Sequence, residues 1–280
     1  MTEHVGLLDM TAFAKCRISG PGSAAFLNYF VANKAPKKVG GISLCHALNT
    51  RGGVHSEFQR LDHDYLKKHM PKDGSVVFTQ LTSAMGVLVV AGPKSKQLLE
   101  RVSSADFSNK KFRWLTGQDI LVGGAPVKAL RVNFVGELGW ELHHPIEYQN
   151  TIFDALFEAG ADLELKPFGI RAMDTMRLEK SYRTVGTELS IEYSAFESGL
   201  DRFVDLDKGD FLGRQALIDW QDAGSGSQLV TLEVMDVVDA DALGNNALTV
   251  NGELVGRATR GGIRKRCNAS LALAMMSPAY

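Results

Sequence analysis

Sulfur chemistry is scarce in this chain: its 280 residues hold three cysteines, Cys16, Cys45 and Cys267, and no two lie close together. An odd count without close pairs supports no disulfide framework and fits a reducing compartment. Net charge is scarce as well, since 31 Lys and Arg against 32 Asp and Glu leave −1. A protein that grips the phosphate backbone of nucleic acid would carry a basic excess. The dense basic run Arg264-Lys265-Arg266 has the length of an ordinary solvated loop. Long apolar runs are missing too. Val87–Ala91 and Leu271–Met276 are strand-sized, far short of the roughly 18 residues a membrane span needs. The opening Met-Thr-Glu-His-Val-Gly has neither a basic region nor an apolar signal core. These absences predict a cytoplasmic protein with no membrane and no nucleic-acid partner.

What is present is ordinary globular material. Hydrophobic residues make up 45% and charged residues 22%, which excludes a disordered tail or a collagen-like rod. The length suffices for a real core and predicts two domains. Two segments look alike. Arg17-Ile18-Ser19-Gly20-Pro21-Gly22-Ser23 leads into Ala24–Phe30, and Leu88–Ala91 with Gly92-Pro93-Lys94-Ser95 leads into Lys96–Val102. Each reads as a strand, a Gly-Pro turn and a helix, with proline tolerated in the first turn and a small hydroxyl able to cap. The repeat predicts an α+β architecture.

Further on, Ala129–Phe134 alternates like a strand, and Leu138–His143 resumes after Gly136. Glu147–Ala159 has helical spacing, and Pro167 precedes a second helix over roughly Phe168–Ser181. Asp222–Ser227 is the best linker in the chain. Leu229–Val234, Leu248–Val250 and Leu271–Met275 then predict a small β-rich C-terminal unit. The expected division is residues 1–221 and 228–280.

Several familiar motifs fail. Gly20-Pro21-Gly22-Ser23-Ala24-Ala25 has the outline of a dinucleotide fingerprint. No Asp or Glu occurs between Gly22 and Glu57 to hold a ribose, and Pro21 removes an N–H. No Gly-x-Ser-x-Gly elbow exists. His143 and His144 are adjacent, so in a strand they face opposite ways and make a poor metal pair. His63 and His69 with Asp62 and Asp64 read as a polar surface loop, and no metal is expected.

Two stretches carry more. In Gly136-Glu137-Leu138-Gly139-Trp140-Glu141-Leu142, the strand period puts Leu138, Trp140 and Leu142 on one face and Glu137, Gly139 and Glu141 on the other. A carboxylate beside a glycine can accept two parallel N–H bonds from a planar heterocycle that glycine lets approach. An exposed strand face gives the same spacing. Arg171, Asp174 and Arg177 are spaced for an ion-pair ladder on one helix, or Arg171 can meet a ligand carboxylate.

Taken together, these stretches resemble the folate-dependent aminomethyltransferase family. It includes the glycine cleavage system T-protein and the C-terminal halves of dimethylglycine and sarcosine dehydrogenases. The matching segments are Val5–Thr11, Leu48–Val54, Val135–Leu142, Phe168–Asp174 and Arg177–Lys180. They continue through Glu197–Leu200, Phe203-Val204, Lys208–Arg214 and Gly256–Gly262, in family order over nearly the whole chain. The likeness is nearest to the dimethylglycine dehydrogenase branch, through Leu178–Tyr182 and Ser190–Gly199.

The resemblance implies a cloverleaf of three α+β lobes around a channel for tetrahydrofolate. It implies that Glu141 pairs with the pterin ring, that Arg171 meets the glutamyl end, and that Phe134 lies along the channel. Glu57 falls where the family usually has an aspartate near folate N5, which makes it the expected catalytic residue. The implied activity is one-carbon transfer, from a small-molecule methyl donor to tetrahydrofolate, in an N-methyl amine demethylating system. A carboxylate near N5 steers the proton and stabilises a cationic carbon, and a closed channel keeps water out. With no flavin-binding half in the chain, an oxidase partner subunit would have to deliver the one-carbon unit. The departures from the family are Glu57 itself, a shortened segment between Phe58 and Asp73 in which Arg60–Met70 reads as a polar bridge, and ends that fall inside the family pattern. They leave a non-catalytic folate-binding or structural relative as the alternative reading. Demethylation of an O- or S-methyl substrate is the third.

Overall fold

The computed structural model describes residues 3–57, 63–224, 226–237, 240–264 and 268–280, with the side chains of Glu57 and Arg264 outside the description. Cys267, Lys265, Arg266, Ser225 of the linker and residues 60–62 of the expected polar bridge therefore lie outside the described residues. The chain runs through β1 (Gly6–Asp9), β2 (Cys16–Ser19), α1 (Ser23–Phe30), β3 (His46–Leu48), β4 (Val54–Glu57) and α2 (His63–His69). It continues through β5 (Val77–Gln80), β6 (Met85–Ala91), α3 (Ser95–Val102), β7 (Gly117–Val122), β8 (Ala125–Leu130), β9 (Gly139–Pro145) and α4 (Gln149–Ala159). Then come β10 (Lys166–Pro167), α5 (Ile170–Leu178), α6 (Arg214–Ala223), β11 (Gln228–Val234), β12 (Ala247–Val250), β13 (Glu253–Arg264) and β14 (Ala269–Met276).

These elements form two compact units. One comprises Met1–Arg17, Pro36–Ser43 and Phe78–Asp174; the other Ile18–Ala35, Leu44–Val77 and Thr175–Tyr280. The first unit holds a six-stranded sheet in the order β10-β1-β6-β9-β8-β7. Its strands are antiparallel except for the β1–β10 pair. Alternation decides what each face does. Leu88 and Val90 of β6, Trp140 and Leu142 of β9, and Val127 and Ala129 of β8 point to one face. There they pack with Leu98 and Leu99 of α3 and with Ile152 and Leu156 of α4. Trp140 meets Phe107 edge to face at 5.4 Å. Each such large side chain, fully buried, contributes about 1.5–3 kcal/mol. The longest apolar run of this unit, Val87–Ala91, is thus a central strand.

The two look-alike segments are alike in structure. In one, Ser23 N donates to Gly20 O at 3.1 Å and Phe26 N to Gly22 O at 2.9 Å. In the other, Ser95 N donates to Gly92 O at 3.0 Å and Leu98 N to Lys94 O at 3.0 Å. The expected hydroxyl cap does not form at either helix; Ser95 Oγ instead donates to Leu138 O at 3.1 Å.

The second unit carries the four-stranded antiparallel sheet β11-β14-β13-β12 and the β3–β4 ladder. Leu48, Val54, Leu189, Ala195, Leu200, Phe211 and Leu217 form a buried core there. Its most family-like stretches hold the unit together. Lys208 donates to the carbonyls of Asn28, Val31 and Asn33, so an ammonium satisfies oxygens left open at the end of α1. Burial pushes this amine down to about 8. Ser194 and Glu197 bond reciprocally, Ser194 N to Glu197 Oε2 at 2.9 Å and Glu197 N to Ser194 Oγ at 3.1 Å. Burial raises the Glu197 carboxyl above its ordinary range, against the pull of those backbone bonds.

Two expectations change. The segment read as a polar bridge contains α2, whose Leu66 is buried. Its Tyr65 stacks on His55 at 3.7 Å and donates to Leu48 O at 2.8 Å. The strand expected over Ala129–Phe134 ends at Leu130, because the Asn133 side chain organises a loop instead. Its Nδ2 donates to Glu137 O at 2.6 Å, and its Oδ1 accepts from Val135 N at 3.0 Å.

Candidate functional site

Glu141 sits mid-way along β9, with Val89 of β6 on one side and Leu130 of β8 on the other. Trp140 and Leu142, its neighbours in sequence, are fully buried against the helices, so Glu141 belongs to the opposite face. Its side chain is 16% exposed, and Oε2 accepts from His143 Nε2 at 3.0 Å. Among the described residues His143 is its hydrogen-bond partner, which leaves Oε1 to accept from something else. The two histidines divide as the strand period predicts. His144 lies fully buried on the helix side, with Nε2 at 2.7 Å from Gln149 Oε1, while His143 shares the face of Glu141.

Gly139 precedes Glu141 by two residues on the same face. The reading of Gly139 as a gap for a ligand ring needs correcting, because the protein itself uses the space. A Cβ there would stand 2.8 Å from Val90 O and 3.0 Å from Asn133 Nδ2. Asn133 also closes the loop that carries Phe134, which is half-buried between β8 and β9.

Arg171 is the second residue of α5 and is exposed. Gly169 O begins the helix by accepting from Ala172 N at 3.0 Å and Met173 N at 3.1 Å. The positive end of the helix dipole adds to the guanidinium there. Arg177, the last residue of the expected ladder, turns inward. It donates to Glu188 Oε2 at 3.1 Å and to Tyr182 O at 2.6 Å.

Glu57 ends β4, in register with His46 of β3. The turn that delivers it is built by Asn49, whose Oδ1 accepts from Arg51 N at 2.8 Å and Gly53 N at 3.0 Å. Only glycine fits at 53, where a Cβ would stand 2.4 Å from Ile191 O. Phe134, Glu141 and Arg171 thus belong to the first unit, and Glu57 to the second.

Three features escaped the sequence reading. His143 was weighed as a metal ligand, although its place two residues from Glu141 already put it on the same face. His46 is buried with Nδ1 unpartnered among the described residues, and burial together with Arg183 pushes its imidazole down to about 4. Glu188 gathers Arg177, Thr184 N, Thr187 Oγ1 and Thr259 Oγ1 around one carboxylate. No helix among the described residues is long and apolar enough to cross a membrane.

A family model, the GCVT N-terminal domain, matches residues 1–61 and 55–208. The human mitochondrial dimethylglycine dehydrogenase is 33% identical over 97% of this chain and 34% of its own length. The 4-methylaminobutanoate oxidase (formaldehyde-forming) of Paenarthrobacter nicotinovorans is 30% identical over 99% of this chain and 36% of its own. This chain therefore spans about a third of the length of these relatives. The aminomethyltransferase of Bacillus cytotoxicus is 28% identical over 98% of this chain and 79% of its own. The crystal structure of glycine cleavage system aminomethyltransferase T from Bartonella henselae superposes with a TM-score of 0.84 at 20% identity, over 99% of this chain and 79% of that one. The two share one fold.

Proposed function

Because the chain belongs to the GCVT N-terminal domain family, we propose that it binds tetrahydrofolate and transfers a one-carbon unit to it. The observation that carries this reading is the carboxylate of Glu141. It is half-buried on a sheet face, already held at one oxygen and, among the described residues, open at the other. That arrangement fits a flat, hydrogen-bond-donating ring better than a hydrated cation, which would demand several oxygen ligands. Bound tetrahydrofolate would supply the N5 nucleophile for the one-carbon unit.

The chain's own groups divide the work around it. Glu141 accepts the ring N–H groups and fixes its orientation. Arg171, exposed at the start of α5, attracts the glutamyl carboxylates with help from the helix dipole. Phe134 lines the path between them. Glu57, at the end of the Asn49–Gly53 turn, holds or moves the proton near N5 and balances positive charge on the arriving carbon. Two of the relatives are named for N-methyl amine chemistry, which favours an N-methyl amine as the methyl source. The methyl group must be oxidised before transfer, so the reading includes an oxidase partner. Calorimetric titration of the full chain with tetrahydrofolate tests the proposal. Saturable binding that Glu141→Gln weakens about ten- to a hundredfold is expected, from the loss of a charge-assisted bond. Wild-type protein that binds no tetrahydrofolate would refute it.

A further inference from the structure

We propose that His143 is a positioning residue for the ring-binding carboxylate: its Nε2–H fixes one oxygen of Glu141 and so aims the other at the ligand. The inference rests on the folate reading and deepens it. Residues two apart on a strand share a face, and on β9 this brings His143 Nε2 to 3.0 Å from Glu141 Oε2. The side chains are 16% and 19% exposed, so bulk water competes with this bond far less than at an open surface. A free glutamate must freeze its rotatable bonds to grip a ligand, and that ordering subtracts from affinity. Here the ordering is done before the ligand arrives. The geometry also suits the ligand. Oε2 keeps a lone pair beside the imidazole and Oε1 keeps both of its own, enough for two parallel N–H donors.

The neighbouring strands leave this pair to itself. Lys128 of β8 is the register partner of His143, and Asp119 of β7 holds that lysine at 2.6 Å. On the other side β6 presents Val87 and Val89, which are apolar.

The test is calorimetric titration with tetrahydrofolate at pH 7.5, on wild type, His143→Ala, His143→Gln and Glu141→Gln. His143→Ala is expected to bind about three- to tenfold more weakly at pH 7.5, the loss of one partly buried hydrogen bond. His143→Gln, whose amide can still donate to Glu141, is expected to recover most of that loss. If His143→Ala matches wild type while Glu141→Gln fails, the inference is overturned and the folate reading stands. If His143→Gln fails like His143→Ala, His143 merely packs, and the inference is again overturned. Wild type that binds no tetrahydrofolate removes both.

Discussion

Arg177 and Glu188 form an ion pair closed off from water: Nη1 lies 3.1 Å from Oε2, and the side chains are 2% and 0% exposed. Thr184 N at 2.9 Å and Thr187 Oγ1 at 2.7 Å reach the same oxygen, and Thr259 Oγ1 reaches the other at 2.5 Å. Thr259 lies on β13, so the pair joins the end of α5 to the C-terminal sheet within the second unit. Removing the arginine strands a buried carboxylate, a change that costs about 3–5 kcal/mol. Arg177→Met is expected to lower stability by that amount in urea denaturation. A midpoint equal to wild type would mean that the three remaining donors suffice for the charge.

His46 makes stability depend on pH. Its imidazole is held down to about 4 by burial and by Arg183, whereas in the unfolded chain it titrates near 6.5. Between those values the unfolded state binds the proton and the folded state does not, so stability falls as pH drops from about 6.5 towards 4. The full difference is worth on the order of 3 kcal/mol. His46→Leu is expected to remove this part of the slope when urea midpoints are compared at pH 7 and pH 4.5. An unchanged slope would assign the acid sensitivity to other groups.

Glu57 separates an enzyme from a binding relic. Glu57→Gln is expected to leave tetrahydrofolate affinity nearly intact while lowering transfer by roughly two to four decades, the range of a positioned acid–base group. Glu57→Asp, which shortens the side chain to the family's usual residue, is expected to be tolerated or to improve the rate. The readout is methylene-tetrahydrofolate formed from an iminium donor. Wild type and Glu57→Asp that both bind folate yet form none would leave the non-catalytic reading.

Arg171 acts at the exposed end of the proposed site, where charge is screened. Arg171→Ala is expected to weaken tetrahydrofolate binding about two- to fivefold at low salt, the scale of an exposed ion pair. Near 0.5 M salt the loss should shrink further, because the screening length drops to a few ångström. A loss independent of salt would point to a role in holding α5 instead.

The parts of the fold that were legible are those where burial alternates or repeats. β9 was readable because Trp140 and Leu142 must be dry while Glu141 and His143 are not. β6 and β14 were readable as short apolar runs. The helix α2 was not, because a single buried leucine in a charged segment leaves no apolar stripe to count. Nor was the loop at Asn133, where one side chain outcompetes strand pairing. The site was legible only where residues two apart share a strand. Glu188 was invisible, since two of its partners, Arg177 and Thr259, lie 11 and 71 residues away. Lys208 belongs to a run that carries the family resemblance, and its three carbonyl partners show that it anchors a helix end.

The backbone passes from one unit to the other at 17/18, 35/36, 43/44, 77/78 and 174/175. This sets a timetable for synthesis. β1 is synthesised ahead of its partners, residues 88–91 and 166–167. At about 5–20 residues per second, the apolar Leu7 and Leu8 wait roughly 8–30 s for a complete set of neighbours. A chaperone has that interval in which to hold the nascent β1. The same threading means that no single protease cut can release either unit as one uninterrupted fragment.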